Sequence, residues 1–160
     1  MALPAPISVL YPPDHDHETL DPAPSPPIFV PLPETDIGQI YRGDTVLLPI
    51  WYALDYYDAE NMGGVIDLTG GSVWFTAKID LDEPDESPSA IRRTTGNGGA
   101  VIEVATAGAY RVWIDPASTW ALDDDTMYLF DVQVTTAELR TVTVRRGIMK
   151  VLRDVTRTVA

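Results

Sequence analysis

The chain has 160 residues, 45% of them hydrophobic, a formal charge of -13 and a pI of about 4.2. This is too apolar for a wholly disordered chain and suits one domain carrying a tail, while no run of about eighteen apolar residues offers a transmembrane helix. The absence of cysteine excludes disulfides, thiolate zinc sites and a cysteine nucleophile, and the acidity opposes a broad phosphate-binding face.

Residues 1–38 form a distinct segment. Ten of the fourteen prolines fall here, from Pro4 to Pro33. Proline fixes φ and removes a backbone donor, so an extended, polyproline-like arm is expected rather than a helix or central strand. The start of the chain has no basic region followed by an apolar stretch, so no signal peptide is expected. Ile28, Phe29, Val30 and Leu32 are apolar residues that a pure spacer does not need. An arm lying along another surface would bury them, whether on a neighbour or on its own domain.

From Gln39 onward the pattern is that of strands. Thr45–Leu54 reads as a long strand, with Pro49 demanding an edge or a bulge. A loop over Asp55–Gly64 and a turn over Asp67–Gly71 lead to a strand Ser72–Ile79. An acidic loop, Asp80–Ser89, precedes a short strand Ile91–Thr94 and a glycine-rich turn, Thr95–Gly99. Ala100–Ala105 and Ala109–Ile114 read as a hairpin. Asp115–Leu122 holds one helical turn, with Pro116 suited to a first helical position. Tyr128–Thr135, Leu139–Arg146 and Ile148–Val155 complete the strands. Tyr128, Phe130, Val132 and Val134 share one face of theirs, while Asp131 and Gln133 share the other. Short strands separated by turn signals predict an all-β sandwich or small barrel over residues 39–160.

Charge is polarised along the chain. Six of the eleven basic residues follow position 139, including Arg145, Arg146 and Arg153, whereas the first forty residues hold six acids and no Lys or Arg. A basic last strand is thus a candidate for meeting an acidic partner, a solvated basic face being the plainer reading. Arg92-Arg93 and Arg145-Arg146 invite comparison with nucleic-acid patches, but the net charge favours ion pairs with acidic neighbours.

Few residues suggest chemistry. Asp14-His15-Asp16-His17 puts both imidazoles on one side of an extended chain, a weak divalent-ion candidate at His15 and His17 beside the plainer reading of a solvated patch. Asp123-Asp124-Asp125 and the acidic loop lack the spacing of a calcium loop. Trp51, Tyr52, Tyr56 and Tyr57 fit a sugar-binding face or, preferably, core and interface positions. No nucleophile motif or phosphate loop is recognisable. The expectation is a non-enzymatic protein without a cofactor.

One ordered series of motifs is informative. It runs Tyr41-Arg42-Gly43-Asp44-Thr45, Asp67-Leu68-Thr69-Gly70, Val73-Trp74-Phe75-Thr76-Ala77-Lys78 and Gly108-Ala109-Tyr110-Arg111-Val112. Tyr128-Leu129-Phe130-Asp131-Val132-Gln133-Val134 and Arg146-Gly147-Ile148-Met149-Lys150-Val151 close it. The series resembles the immunoglobulin-like domain of tailed-phage virion proteins, including the N-terminal domain of baseplate upper proteins. The resemblance covers roughly residues 39–155. It implies an immunoglobulin-like β-sandwich of about seven to eight strands, with Trp74 buried mid-strand, Tyr128 bonding backbone as a tyrosine corner, and Phe130 in the place of a second cysteine. It also implies a structural role in the virion, assembling through the arm and the sandwich edges, with other virion proteins and copies of itself as partners; the net charge and the lack of a long apolar run argue against nucleic acid and membrane. The tail, baseplate or fibre-attachment region is the leading place. Capsid decoration and host-glycan binding are the alternatives.

Overall fold

The computed structural model describes residues 36–56, 58, 60 and 63–155. Eleven strands follow in chain order: β1 (Gly38–Tyr41), β2 (Val46–Leu47), β3 (Trp51–Tyr52), β4 (Leu54–Asp55), β5 (Gly64–Val65), β6 (Ser72–Lys78), β7 (Ile91–Thr94), β8 (Ala100–Val104), β9 (Ala109–Ile114), β10 (Thr126–Thr135) and β11 (Thr141–Leu152). A 3-10 turn, Ala105–Ala107, joins β8 to β9, and one short helix, α1 (Pro116–Trp120), follows β9. The described chain is all-β.

Five strands form one sheet in the order β1-β11-β10-β6-β7. Its pairs are antiparallel except β1 with β11, which run parallel. A second sheet centres on β9, with β8 on one side and β2 and β3 end to end on the other. A small ladder of β4 with β5 extends it. The two sheets share one core. Val73, Phe75 and Ala77 of β6 and Tyr128, Phe130, Val132 and Val134 of β10 meet Trp51, Tyr110, Val112 and Ile114 of the second sheet. Burying a large apolar side chain stabilises by about 1.5–3 kcal/mol before entropy is subtracted, so these residues dominate the fold.

The expected strand Thr45–Leu54 is broken. Val46 faces Ile114 and Leu47 faces Trp113, but Trp51 faces Tyr110, so one residue is gained across Pro49. Proline has no N–H for the ladder, and the break falls at an edge, where the loss is tolerated. The expected strands Leu139–Arg146 and Ile148–Val155 are in fact one strand, β11. Gly147 does not end it; it sits opposite Phe130 and the ladder runs on through Ile148. Leu139 instead takes a left-handed φ of 64° in the β10–β11 hairpin.

The helical turn over Asp115–Leu122 is present. Asp115 caps α1 by accepting the Ser118 N–H at 2.7 Å, and Pro116 opens the helix where no donor is needed. The Ser118 N–H, helped by Arg93 at 2.6 Å, holds the Asp115 carboxyl below the usual carboxylate range although burial opposes it.

Candidate functional site

Pairing register decides what the five-stranded sheet presents to solvent. On β6 the inward positions are Val73, Phe75 and Ala77, so Trp74, Thr76 and Lys78 face out. On β10 Tyr128, Phe130, Val132 and Val134 face in, leaving Leu129, Asp131 and Gln133 outside. Register aligns these into rows crossing three strands. Trp74, Gln133 and Thr143 make one row, Thr76, Asp131 and Arg146 the next, and Lys78, Leu129 and Ile148 the third. A groove of about 670 Å³ runs over this face, with Leu81 and Asp85 of the acidic loop at one side and Asp36 at the other.

Trp74 corrects an expectation. The resemblance implies a buried tryptophan at this position, yet Trp74 is 41% exposed, because its two neighbours claim the inner face and alternation is strict. Its indole N–H donates to Ser72 Oγ at 3.2 Å and the Arg92 guanidinium lies 5.5 Å from the ring centroid. Trp51 is the buried tryptophan, at 6% exposure. It stacks on Phe130 at 6.1 Å and meets the Tyr110 edge at 6.2 Å, and Phe130 stacks in turn on Phe75 at 5.4 Å.

The groove mixes apolar and charged groups. Trp74, Leu129 and Ile148 are each more than a third exposed. Burial, reinforced by the Asp85 carboxylate, pushes the Asp131 carboxyl above its ordinary range, and Lys78 opposes the shift. Lys78 is ion-paired to Asp85, which raises its ammonium.

The candidate partner-binding residues are scattered. Arg146 lines the groove. Arg145 does not share its face. The register shift between Val132 and Gln133 leaves Val144 without a partner and turns Arg145 toward the inner side, opposite Val132. There its guanidinium covers the Trp51 ring at 4.5 Å and opposes the effect of burial on Tyr110, whose hydroxyl is pushed up to about 12. Arg153 reaches Asp124 Oδ2 at 3.1 Å, and Arg42 reaches the other oxygen at 3.3 Å, so part of the aspartate triplet is an ion-pair hub. Arg92 pairs with Glu86 at 3.5 Å and Arg93 with Asp115, in keeping with the expected acidic neighbours. Tyr52 is exposed and Trp51 is core, so those two do not form one sugar-binding face. Ile28, Phe29, Val30, Leu32, His15, His17 and Tyr57 lie outside the described residues. Among the described residues, no three His, Cys, Asp or Glu side chains are grouped to hold a metal ion.

Tyr128 lies near the start of β10. It is fully buried, and its hydroxyl accepts the Asp123 backbone N–H at 3.0 Å. No protein-family model matches the chain, and a search of curated proteins finds no match.

The groove itself was missed by sequence reasoning. Its signal was present: Trp74, Leu129 and Ile148 are large apolar residues standing on the outer phase of otherwise polar alternations. Only the register, which brings β6, β10 and β11 side by side, turns them into one surface.

Proposed function

We propose that the chain is an immunoglobulin-like β-sandwich with an N-terminal arm, serving as a non-enzymatic structural component of a tailed-phage virion. It assembles in the tail, baseplate or fibre-attachment region, with other virion proteins and further copies of itself as partners. Strand order supports the fold. Counting β2–β4 as one broken strand, β6, β10 and β11 match strands C, F and G of that architecture, and β7 extends their sheet. The broken strand, β9 and β8 match B, E and D in the opposing sheet. Trp51 on the B position stacks on Phe130 on the F position, where disulfide-bearing relatives of this fold bridge the sheets. Tyr128, two residues before Phe130, supplies the corner hydrogen bond.

The observation that carries the assembly role is where the arm joins this rigid body. Thirty-five residues rich in proline and interrupted by Ile28, Phe29, Val30 and Leu32 lead into Asp36, on the rim of the outer groove. Proline restricts the unbound chain, so less entropy is lost when such an arm docks. The sheet edges are a second means of association: β1 and β7 have only four residues each and the β2–β4 edge is broken at Pro49, which discourages strand addition, while β8, with Val101 and Val104 exposed, is the longer edge. Deleting residues 1–35 is therefore expected to leave a domain with a single cooperative unfolding transition that fails to enter particles. Incorporation of the truncated protein at the level of the full chain contradicts the role of the arm.

A further inference from the structure

We propose that the outer groove of the five-stranded sheet is the docking surface for the chain's own segment Ile28–Pro33, with Trp74 as the platform for its apolar residues. This rests on the arm-mediated reading above and names the surface the arm uses.

The direction in which the chain leaves the sheet is the first argument. β1 pairs with β11 from Gly38 onward, and the Ile37 N–H still donates to the Ile148 carbonyl at 3.1 Å, with the Ile37 side chain packed against the core. Gly38 has a φ of 83°, a conformation that interrupts an extended strand. Asp36 then sits on the groove. The arm is therefore attached beside the groove.

The reach fits. Trp74 stands on β6, three strand spacings from β1 or about 14 Å, and four residues along from the row that contains Ile148, or about 13 Å. The diagonal is about 19 Å. Seven residues separate Phe29 from Asp36, and polyproline-like chain of that length spans about 22 Å. Phe29 and Val30 therefore reach the Trp74 indole while Leu32 and Pro33 pass over Leu129 and Ile148.

Chemistry fits as well. A sheet face has no ladder groups to offer, so its occupant must bind through side chains. Pro31 and Pro33 lack N–H groups that would otherwise lose their water partners there, and Ile28–Pro33 carries no charge. Proline-rich segments dock on aromatic-lined grooves because their conformation is largely fixed beforehand. The same contact made by a neighbour's arm links two copies without any new surface, an exchange of identical elements.

The test uses the full chain with Phe29 replaced by the photoreactive amino acid p-benzoylphenylalanine. After irradiation, the cross-linked peptides are mapped by mass spectrometry. The proposal predicts links to Trp74, Leu129 and their groove neighbours, and a severalfold lower yield when Trp74→Ala is added. Trp74 is an outer-face residue, and an unchanged unfolding midpoint in that variant shows that loss of links is not loss of fold. Links concentrated on any other surface, or a yield indifferent to Trp74→Ala, overturn the proposal. Groove links confined to single chains at every protein concentration keep the groove and defeat assembly between copies. Linked pairs joined elsewhere keep assembly and defeat the groove.

Discussion

At the scale of single residues, two polar groups of β10 make opposite contributions. The Tyr128 hydroxyl satisfies the Asp123 N–H at the corner before β10, and replacing it by hydrogen leaves that donor without its protein partner. Tyr128→Phe is expected to destabilise by about 1–2 kcal/mol, read as a lower urea midpoint at unchanged slope. Asp131 works in the other direction. Burial raises its carboxyl above the ordinary value, so the folded state binds this proton more readily than the unfolded chain does. Its charge therefore costs stability above the folded pKa, and the cost disappears as pH falls below the unfolded value of about 4. Asp131→Asn is expected to be more stable than the parent at neutral pH, with the gap closing on acidification. A gap that is constant or widens toward low pH contradicts the burial of this group.

At the scale of elements, turns and register carry the architecture, and they were unequally readable. The alternation in β10, the hairpin of β8 and β9 and the Asp115–Pro116 start of α1 all rest on local chemistry and were legible from the residues alone. The parallel pairing of β1 with β11 was not, because Gly38–Tyr41 has no distinctive pattern and its partner lies more than a hundred residues away. Trp74 was misplaced because its expected burial followed a resemblance of position, whereas the period of two assigns it to solvent. Gly108 shows how local geometry supports the hairpin. Its φ is 64°, and a Cβ there would lie 2.7 Å from the Ile66 carbonyl oxygen and 3.0 Å from that of Ala53. Gly98 has a similar φ of 75° with open space around it. Gly98→Ala is expected to cost about 1–2 kcal/mol from backbone strain alone. Gly108→Ala is expected to cost more, because it must also displace the backbone at Ala53 and Ile66. Equal midpoints for the two variants contradict the close approach of β9's turn to the β3–β5 backbone.

At the scale of the whole molecule, the two sheets form one body through the Trp51, Phe130 and Phe75 contacts, and the chain joins it beside an amphipathic groove. The all-β class was visible in the alternation of the described strands. The outer groove was not, since its residues come from three strands whose order only long-range pairing decides. Whether this body and its arm build a virion is decided by counting copies. Quantitative mass spectrometry of particles purified from the protein's source is expected to find a few copies to a few tens per particle, as befits a tail, baseplate or fibre anchor. Hundreds of copies per particle contradict that placement and favour capsid decoration, and absence from particles contradicts the virion reading itself.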